Sequence, residues 1–329
     1  MKIDIFNHIV PQKFFDRLVS LVPQRVRAIP SMVDLGERFR LMDHFEGYRQ
    51  VIGLSNPPLE ALGPPAVSRE LAKLANDSMA ELVLKYPDRF PGFIASLPMN
   101  DPEGLLAESE RAIQDLGAVG VLVYSNVLGR PLDKPETMPL FDLMARLDRP
   151  IWIHPIRGAD FPDYRTEPKS HYEIWFVFGW PYETSVAMAH LVFSGLFDRH
   201  PNIKIITHHM GGMIPYFEGR VGPGWDQLGD RTADVDYTLL LKKLGKRPLD
   251  YFRMFYADTA LFGAREATLC GLKFFGPERI LFGTDSPFGP EKGLAHIRST
   301  IEVIDSLDIT SGQRQAIYEG NARRLLKLR

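Results

Sequence analysis

The chain has 329 residues, 45% of them hydrophobic and 24% charged, with a formal net charge of −2. This is the composition of a globular protein with a sizeable core, and it excludes a disordered or fibrous chain. Lys and Arg are scattered, so no basic stripe points to nucleic acid and no basic amphipathic segment points to a membrane surface.

The N-terminus, Met1 to Phe6, has neither the apolar stretch nor the cleavage site of a signal peptide. No run of about 18 apolar residues suggests a transmembrane helix. The single cysteine, Cys270, excludes an internal disulfide and fits a reducing compartment. A cytoplasmic protein is expected, with no nucleic-acid or membrane partner.

Apolar runs rich in β-branched residues predict strands at about 2–6, 50–55, 91–95, 118–123, 151–154, 203–207, 254–257 and 280–283. Between the second and third, a helix starts near Ser68, with Leu71, Leu74, Ala75, Met79 and Leu82 on one face. Asp101 and Pro102 open the next as N-cap and first helical residue. A third is expected from about Thr184 to Leu196. Eight strands alternating with helices predict an α/β protein with a parallel sheet. Eight also matches closure into a (β/α)8 TIM barrel, read as a single domain over residues 1–329.

Long connections are expected after strands one, five and six. Residues 22–40 are long for a β-to-α connection, and residues 157–182 are longer and rich in aromatics. Such loops build the substrate pocket of a barrel, although aromatics of this kind also pack dimer interfaces. In residues 220–246, Gly222, Pro223, Gly224 and Trp225 are expected to break the chain early, and Tyr237 to Lys243 reads as helical.

Four predicted strands end in groups that suit a divalent metal. They are His8 after Asp4, Ile5, Phe6 and Asn7; His154 after Ile151, Trp152 and Ile153; His208 and His209 after Ile205, Ile206 and Thr207; and Asp285 after Gly283 and Thr284. In a closed parallel barrel such ends converge on one face. Strand alternation puts Asp4, Phe6 and His8 on one side and Asn7 on the other. By the same rule only one of His208 and His209 faces the mouth. Singly, each is also explained by a turn or a satisfied core position; together they point to a cluster. Imidazole and carboxylate suit zinc, manganese or iron, and a catalytic zinc needs only three protein ligands, which His8, His154 and Asp285 can supply.

The chain resembles the amidohydrolase superfamily, in the branch of 2-amino-3-carboxymuconate-6-semialdehyde decarboxylase and the aromatic-acid decarboxylases. The resemblance spans nearly the whole chain. It rests on Lys2 to Ile5, Tyr86 to Phe90, Ser96 to Met99, Gly179 to Thr184, Ser194 to Pro201, His209 to Gly212, Gly283 to Phe288 and Gly320 to Ala322. It implies a metal held by His8, His154 and Asp285, with zinc expected and manganese as the alternative. It implies a proton-shuttling or water-activating role for His209, a proton-exchanging one for Asp285, and substrate contacts from Arg38 and Trp175. It also implies a homodimer in which Arg220 is directed at the partner's site. One position departs from the pattern: where the family has a ligating His or Glu, this chain has Phe6, which cannot bind a metal.

The reaction expected is non-oxidative, metal-dependent decarboxylation of a small aromatic or unsaturated carboxylic acid. Two alternatives stay open at this point. One is a metal-dependent hydrolase of a lactone, amide or ester; the other is a ligand-binding barrel whose metal site Phe6 has weakened or abolished.

Overall fold

A computed structural model describes residues 1–22 and 29–328. Eight strands form the predicted barrel: β1 (Lys2–Ile9), β2 (Tyr48–Leu54), β3 (Gly92–Ser96), β4 (Gly120–Tyr124), β5 (Ile151–His154), β6 (Ile205–Thr207), β7 (Tyr256–Asp258) and β8 (Ile280–Leu281). Each pairs in parallel with the next, so sheet order is chain order. Ile5 N donates to Phe282 O at 2.9 Å, Asp285 N to Phe6 O at 2.9 Å and His8 N to Ser286 O at 2.7 Å, and these bonds join β1 to β8.

The strands read as near-continuous apolar runs because both of their faces are covered. Inside the barrel, Ile3, Ile5, Phe6, Val51, Ile94, Leu122, Trp152, Ile206 and Leu281 form one packed cluster. Ala322, Leu325 and Leu326 of the last helix (Asn321–Leu326) belong to the same cluster and stopper the barrel at its N-terminal end. The opposite end is left for the site. Outside, a second cluster fills the space between strands and helices. Among the described residues, no helix is long and apolar enough to cross a membrane.

β1 departs from simple alternation. Asp4 pairs with Gln50 and Asn7 with Ile52, so two residues, Ile5 and Phe6, stand opposite Val51 alone. This bulge resets the faces. Ile3, Ile5 and Phe6 all pack in the interior cluster. Asp4, expected beside Phe6 and His8, points outward to Tyr48 and Thr284. The backbone groups at the bulge are satisfied locally: Phe6 N donates to Asp4 Oδ1 at 3.0 Å, and Trp152 Nε1 donates across the barrel to Ile5 O at 3.1 Å.

Strand β8 is shorter than predicted because Gly283 leaves the ladder. Its N–H donates to Thr259 Oγ1 and its carbonyl accepts from the same hydroxyl, each at 3.0 Å. Asp101 caps the helix Pro102–Gln114 as expected, accepting from Gly104 N at 3.1 Å. The helix expected from Ser68 begins three residues earlier, with Pro65 as its first residue. The helix expected over 184–196 runs instead from Gly179 to Phe193, followed by a short turn of helix at Leu196–Arg199.

Two expected irregular stretches are partly helical. Within residues 22–40, Pro30–Val33 and Leu35–Asp43 are helices, and residues 23–28 lie outside the described residues. The Gly222, Pro223, Gly224 run does not break the chain: it lies inside the helix Glu218–Asp226. Tertiary packing overrides local propensity there, since Trp225 stacks on Phe252 at 5.0 Å between centroids and meets Phe193 edge-on. The helix expected at 237–243 spans Thr238–Lys243, after β6.

Replacing Trp152 by Phe leaves the Ile5 carbonyl buried without its donor. The expected loss of stability is about 1–3 kcal/mol, read from urea unfolding at constant m-value.

Candidate metal centre

At the C-terminal mouth of the barrel, His8 near the end of β1, His154 at the end of β5, His208 just after β6 and Asp285 after β8 converge. One ligand atom from each lies within 4.8 Å of all the others, and all four side chains are buried. His8 Nε2 is 2.9 Å from Asp285 Oδ1, and His208 Nε2 is 3.4 Å from the same oxygen.

Two of the three imidazoles, His154 and His208, are oriented from behind or from the side. His154 Nδ1 donates to Pro155 O at 2.6 Å, which leaves Nε2 as the free ring nitrogen. His208 Nδ1 donates to Asp258 Oδ2, and both side chains are fully buried. Asp258 Oδ1 accepts from Ala260 N at 3.0 Å, so the carboxylate is itself held. The His208 ring is clamped between two others, with Phe6 stacked at 3.6 Å and 7° on one side and His209 at 3.7 Å on the other.

The electrostatics favour a cation. Burial opposes charge on His208, but Asp258 and Asp285 outweigh it and push the ring up to about 9. Burial would also raise Asp285, yet His208 and His8 hold its carboxyl well below the usual carboxylate range. His154 is held well below its ordinary value by burial first, then by the charges of His8 and His208, so it is a neutral imidazole. Two buried ring nitrogens, His8 Nδ1 and His208 Nε2, have no hydrogen-bond partner among the described residues. Three imidazoles and an ionised carboxylate converging on one point, with unpartnered nitrogen among them, fit a divalent metal ion.

The backbone carries strain at this mouth. His209, Met210 and Asp285 have φ of +52°, +54° and +61°, a region that non-glycine residues adopt at some cost and that clusters at functional sites. Gly212 is required where it stands: with φ +62°, a Cβ would meet Pro181 O at 2.4 Å.

The residues named from sequence are placed as follows. His8, His154 and Asp285 meet in the cluster. The pair after β6 breaks the expected alternation, because the strand ends at Thr207 and His209 turns into left-handed backbone. Both rings therefore lie at the site, and the one among the clustered donors is His208 rather than His209. His209 Nδ1 is buried without a partner among the described residues, and burial first, then the nearby His208 charge, bring its ring down to about 3.

Arg38 does not reach the mouth. It is buried behind β1, where Nε donates to Gln50 Oε1 at 2.8 Å, Nη1 to His8 O at 2.7 Å and Nη2 to Asn7 Oδ1 at 2.6 Å. With its fork engaged this way it braces the strand that carries His8 and has no free edge for a substrate carboxylate. Trp175 stands one ring away from the cluster: it meets Trp180 at 6.0 Å, and Trp180 meets His154 at 5.4 Å. Arg220 is exposed on the helix Glu218–Asp226 and lines a groove to which none of the four clustered residues contributes.

Sequence reasoning missed His208 as a clustered donor, Asp258 as its brace and Trp180 as the aromatic wall. Alternation from the inward Ile206 pointed to His208. Asp258 ends an apolar strand just as His154 does, and that signal was available too.

A family model described as amidohydrolase matches residues 3–328. Over 299 residues the chain is 34% identical to a gamma-resorcylate decarboxylase of Polaromonas sp., covering 88% of this chain and 86% of the relative. It is 34% identical over 227 residues to a 2-amino-3-carboxymuconate-6-semialdehyde decarboxylase of Dictyostelium discoideum, covering 68% of this chain and 58% of the relative. Among solved structures, a dihydroxybenzoic acid decarboxylase from Polaromonas sp. JS666, with bound manganese and the inhibitor 2-nitroresorcinol, aligns at a TM-score of 0.78 and 27% identity. That alignment covers 99% of this chain and 96% of the other.

Exchanging Asp258 for Asn removes the charge that orients His208. Metal affinity is expected to fall about 10- to 100-fold, measured by competition with a chromophoric chelator, with the circular dichroism of the folded protein retained.

Proposed function

The chain belongs to the amidohydrolase family, and we propose that it is a metal-dependent carboxy-lyase removing carbon dioxide, without oxidation, from a small aromatic acid. The observation that carries this reading is the convergence of His8, His154, His208 and Asp285 at the open end of the barrel. It is supported by the reactions named for the curated relatives and by the manganese and planar inhibitor of the solved one.

Those four side chains would hold the ion, which when bound supplies a Lewis acid and a template for the substrate's oxygens. The other demands of the reaction fall on the chain. Loss of carbon dioxide leaves an electron pair on carbon, and a proton must take the place of the carboxyl group. His209 is assigned that transfer. It lies against His208, has an unpartnered Nδ1 and is uncharged at neutral pH, so it can accept a proton on one nitrogen and release one from the other. Trp180, with Trp175 packed on it, offers an aromatic wall beside His154 for a flat ring and keeps water from it. Asp285 remains ionised, as a ligand must.

The nitrogen-rich donor set favours zinc by intrinsic affinity, and manganese, as in the solved relative, is the competing occupant. We also propose a homodimer. Tyr182 and Tyr216 are exposed, and an apolar groove bordered by Val186, Phe217 and Trp225 carries Arg220 on its edge.

Purified protein, assayed for its metal and offered a panel of aromatic acids and lactones, is expected to release one carbon dioxide per acid consumed. Lactone opening with no carbon dioxide would establish a hydrolase instead. His154→Ala and Asp285→Asn are expected to lose metal and turnover together. His209→Ala is expected to keep the metal and lose about 10²- to 10⁴-fold in kcat; loss of metal in that variant would make His209 a ligand.

A further inference from the structure

Each clustered donor has an apolar residue two positions before it: Phe6 before His8, Trp152 before His154, Ile206 before His208 and Gly283 before Asp285. Phe6, Trp152 and Ile206 belong to the interior cluster, so alternation lays them directly beneath the three imidazoles. Gly283 leaves room for the ring beside it, since a Cβ there would meet Phe6 Cβ at 3.1 Å.

Phe6 is the centre of this floor. Its ring stacks on His208 at 3.6 Å between centroids, meets His8 edge-on at 5.8 Å and lies tilted to His154 at 5.8 Å. Among the described residues it is the one other ring in contact with all three imidazoles. It is 2% exposed. The floor has no side-chain polar atom to spare: Trp152 Nε1 is spent on Ile5 O at 3.1 Å. A buried water needs roughly two to four polar partners, so these side chains cannot hold one there as a further ligand.

An ion at this centre must therefore be satisfied by the four clustered donors and by what enters through the mouth. Zinc is served by four ligands with nitrogen among them, whereas manganese favours oxygen donors in an octahedral shell. We propose that Phe6 is the residue that sets metal specificity: its ring closes the inner side of the centre, keeps the coordination number low and selects zinc against manganese. This rests on the metal-binding part of the carboxy-lyase reading and goes beyond it. Sites of this donor type prefer zinc to manganese in general; here a large part of the margin is assigned to one side chain that itself binds nothing.

The test is titration of the metal-free protein with zinc and with manganese, each against a chromophoric chelator, for the wild type and for Phe6→Glu, Phe6→His and Phe6→Leu. The ratio of the two dissociation constants is compared, because a ratio cancels a general loss of affinity. Phe6→Glu, which adds an oxygen donor, is expected to shift the ratio toward manganese by about tenfold or more. Phe6→His is expected to shift it less, and Phe6→Leu, which keeps the floor apolar, to weaken both metals with the ratio unchanged. Cobalt(II) added to the metal-free wild type gives a reading independent of any variant. The intense visible absorption of tetrahedral or five-coordinate cobalt is expected, and the weak absorption of octahedral cobalt overturns the proposal. A ratio moved by neither Phe6→Glu nor Phe6→His overturns it as well. Circular dichroism checks that each variant is folded, and where Phe6→Glu is not, Phe6→His and the cobalt spectrum decide. Carbon dioxide release is followed separately. A shifted ratio without turnover sinks the carboxy-lyase reading and leaves the role of Phe6 standing, turnover with an unmoved ratio does the reverse, and failure to take up either metal overturns both.

Discussion

The seam between β1 and β8 is the constraint on which the rest of the mouth depends. Three backbone hydrogen bonds, from Ile5, Asp285 and His8, join the first strand to the last. They place His8 and Asp285, 277 residues apart in sequence, at 2.9 Å from each other. The bulge at Ile5 and Phe6 is part of this seam. Without the bulge, strict alternation from Ile3 and Ile5 would turn Phe6 and His8 to the outward face of Asp4, and the imidazole would point into the helical layer. Gly283 belongs to the same device, because a Cβ there would meet Asp258 Cβ at 2.9 Å and Phe6 Cβ at 3.1 Å. A close approach of three strand ends requires a residue without a side chain.

Behind the seam lies a buried polar layer that explains Arg38. Its guanidinium is surrounded by Gln50, Asn7 and two backbone carbonyls and, among the described residues, has no carboxylate in direct contact. Burial pulls it down to about 10, yet it stays charged. Asp4 lies nearby, bonded to Tyr48 and Thr284, and burial outweighs those bonds to bring its carboxyl up to about 6. A network of this kind is stiff because each member would be left unsatisfied by movement of the next. It touches the backbone of His8 on one side and of Thr284, the neighbour of Asp285, on the other. The arginine thus acts on the site from outside the barrel wall by holding the segment that carries His8, while Asp4 holds the one that leads to Asp285.

What the sequence made legible follows from periodicity. All eight strands were readable because each is a short apolar run, buried on both faces, between polar or glycine-rich breaks. His8, His154 and Asp285 stood out because a polar group ending such a run has few packing reasons to be there. Effects set by tertiary contacts were not legible. The bulge in β1 leaves no local mark, so alternation misplaced Asp4. The left-handed turn at His209 brings two adjacent histidines to the same side, which a strand rule forbids. Arg38 and Pro223 show the same limit from another direction: the partners that decide their roles, Gln50 and Asn7 in one case and Trp225 on Phe252 in the other, are matters of packing rather than of spacing.

Phe6 carries the last step. A benzyl group cannot ligate, and beside a metal centre it removes one donor that the first strand would otherwise supply. The structure has a fourth donor all the same, but it comes from His208 after β6. The two positions are physically coupled, since the Phe6 ring lies flat on the His208 imidazole. A flat apolar face on one side, His209 on the other and Asp258 at Nδ1 leave the His208 ring little rotational freedom, and they direct Nε2 toward Asp285. An imidazole or carboxylate at position 6 would need its own counter-groups and would crowd a centre already holding three rings. Phenylalanine instead lends surface to orient the donor opposite. The substitution that looks like a loss in the sequence is, in the fold, one wall of the clamp that keeps the donor count at four.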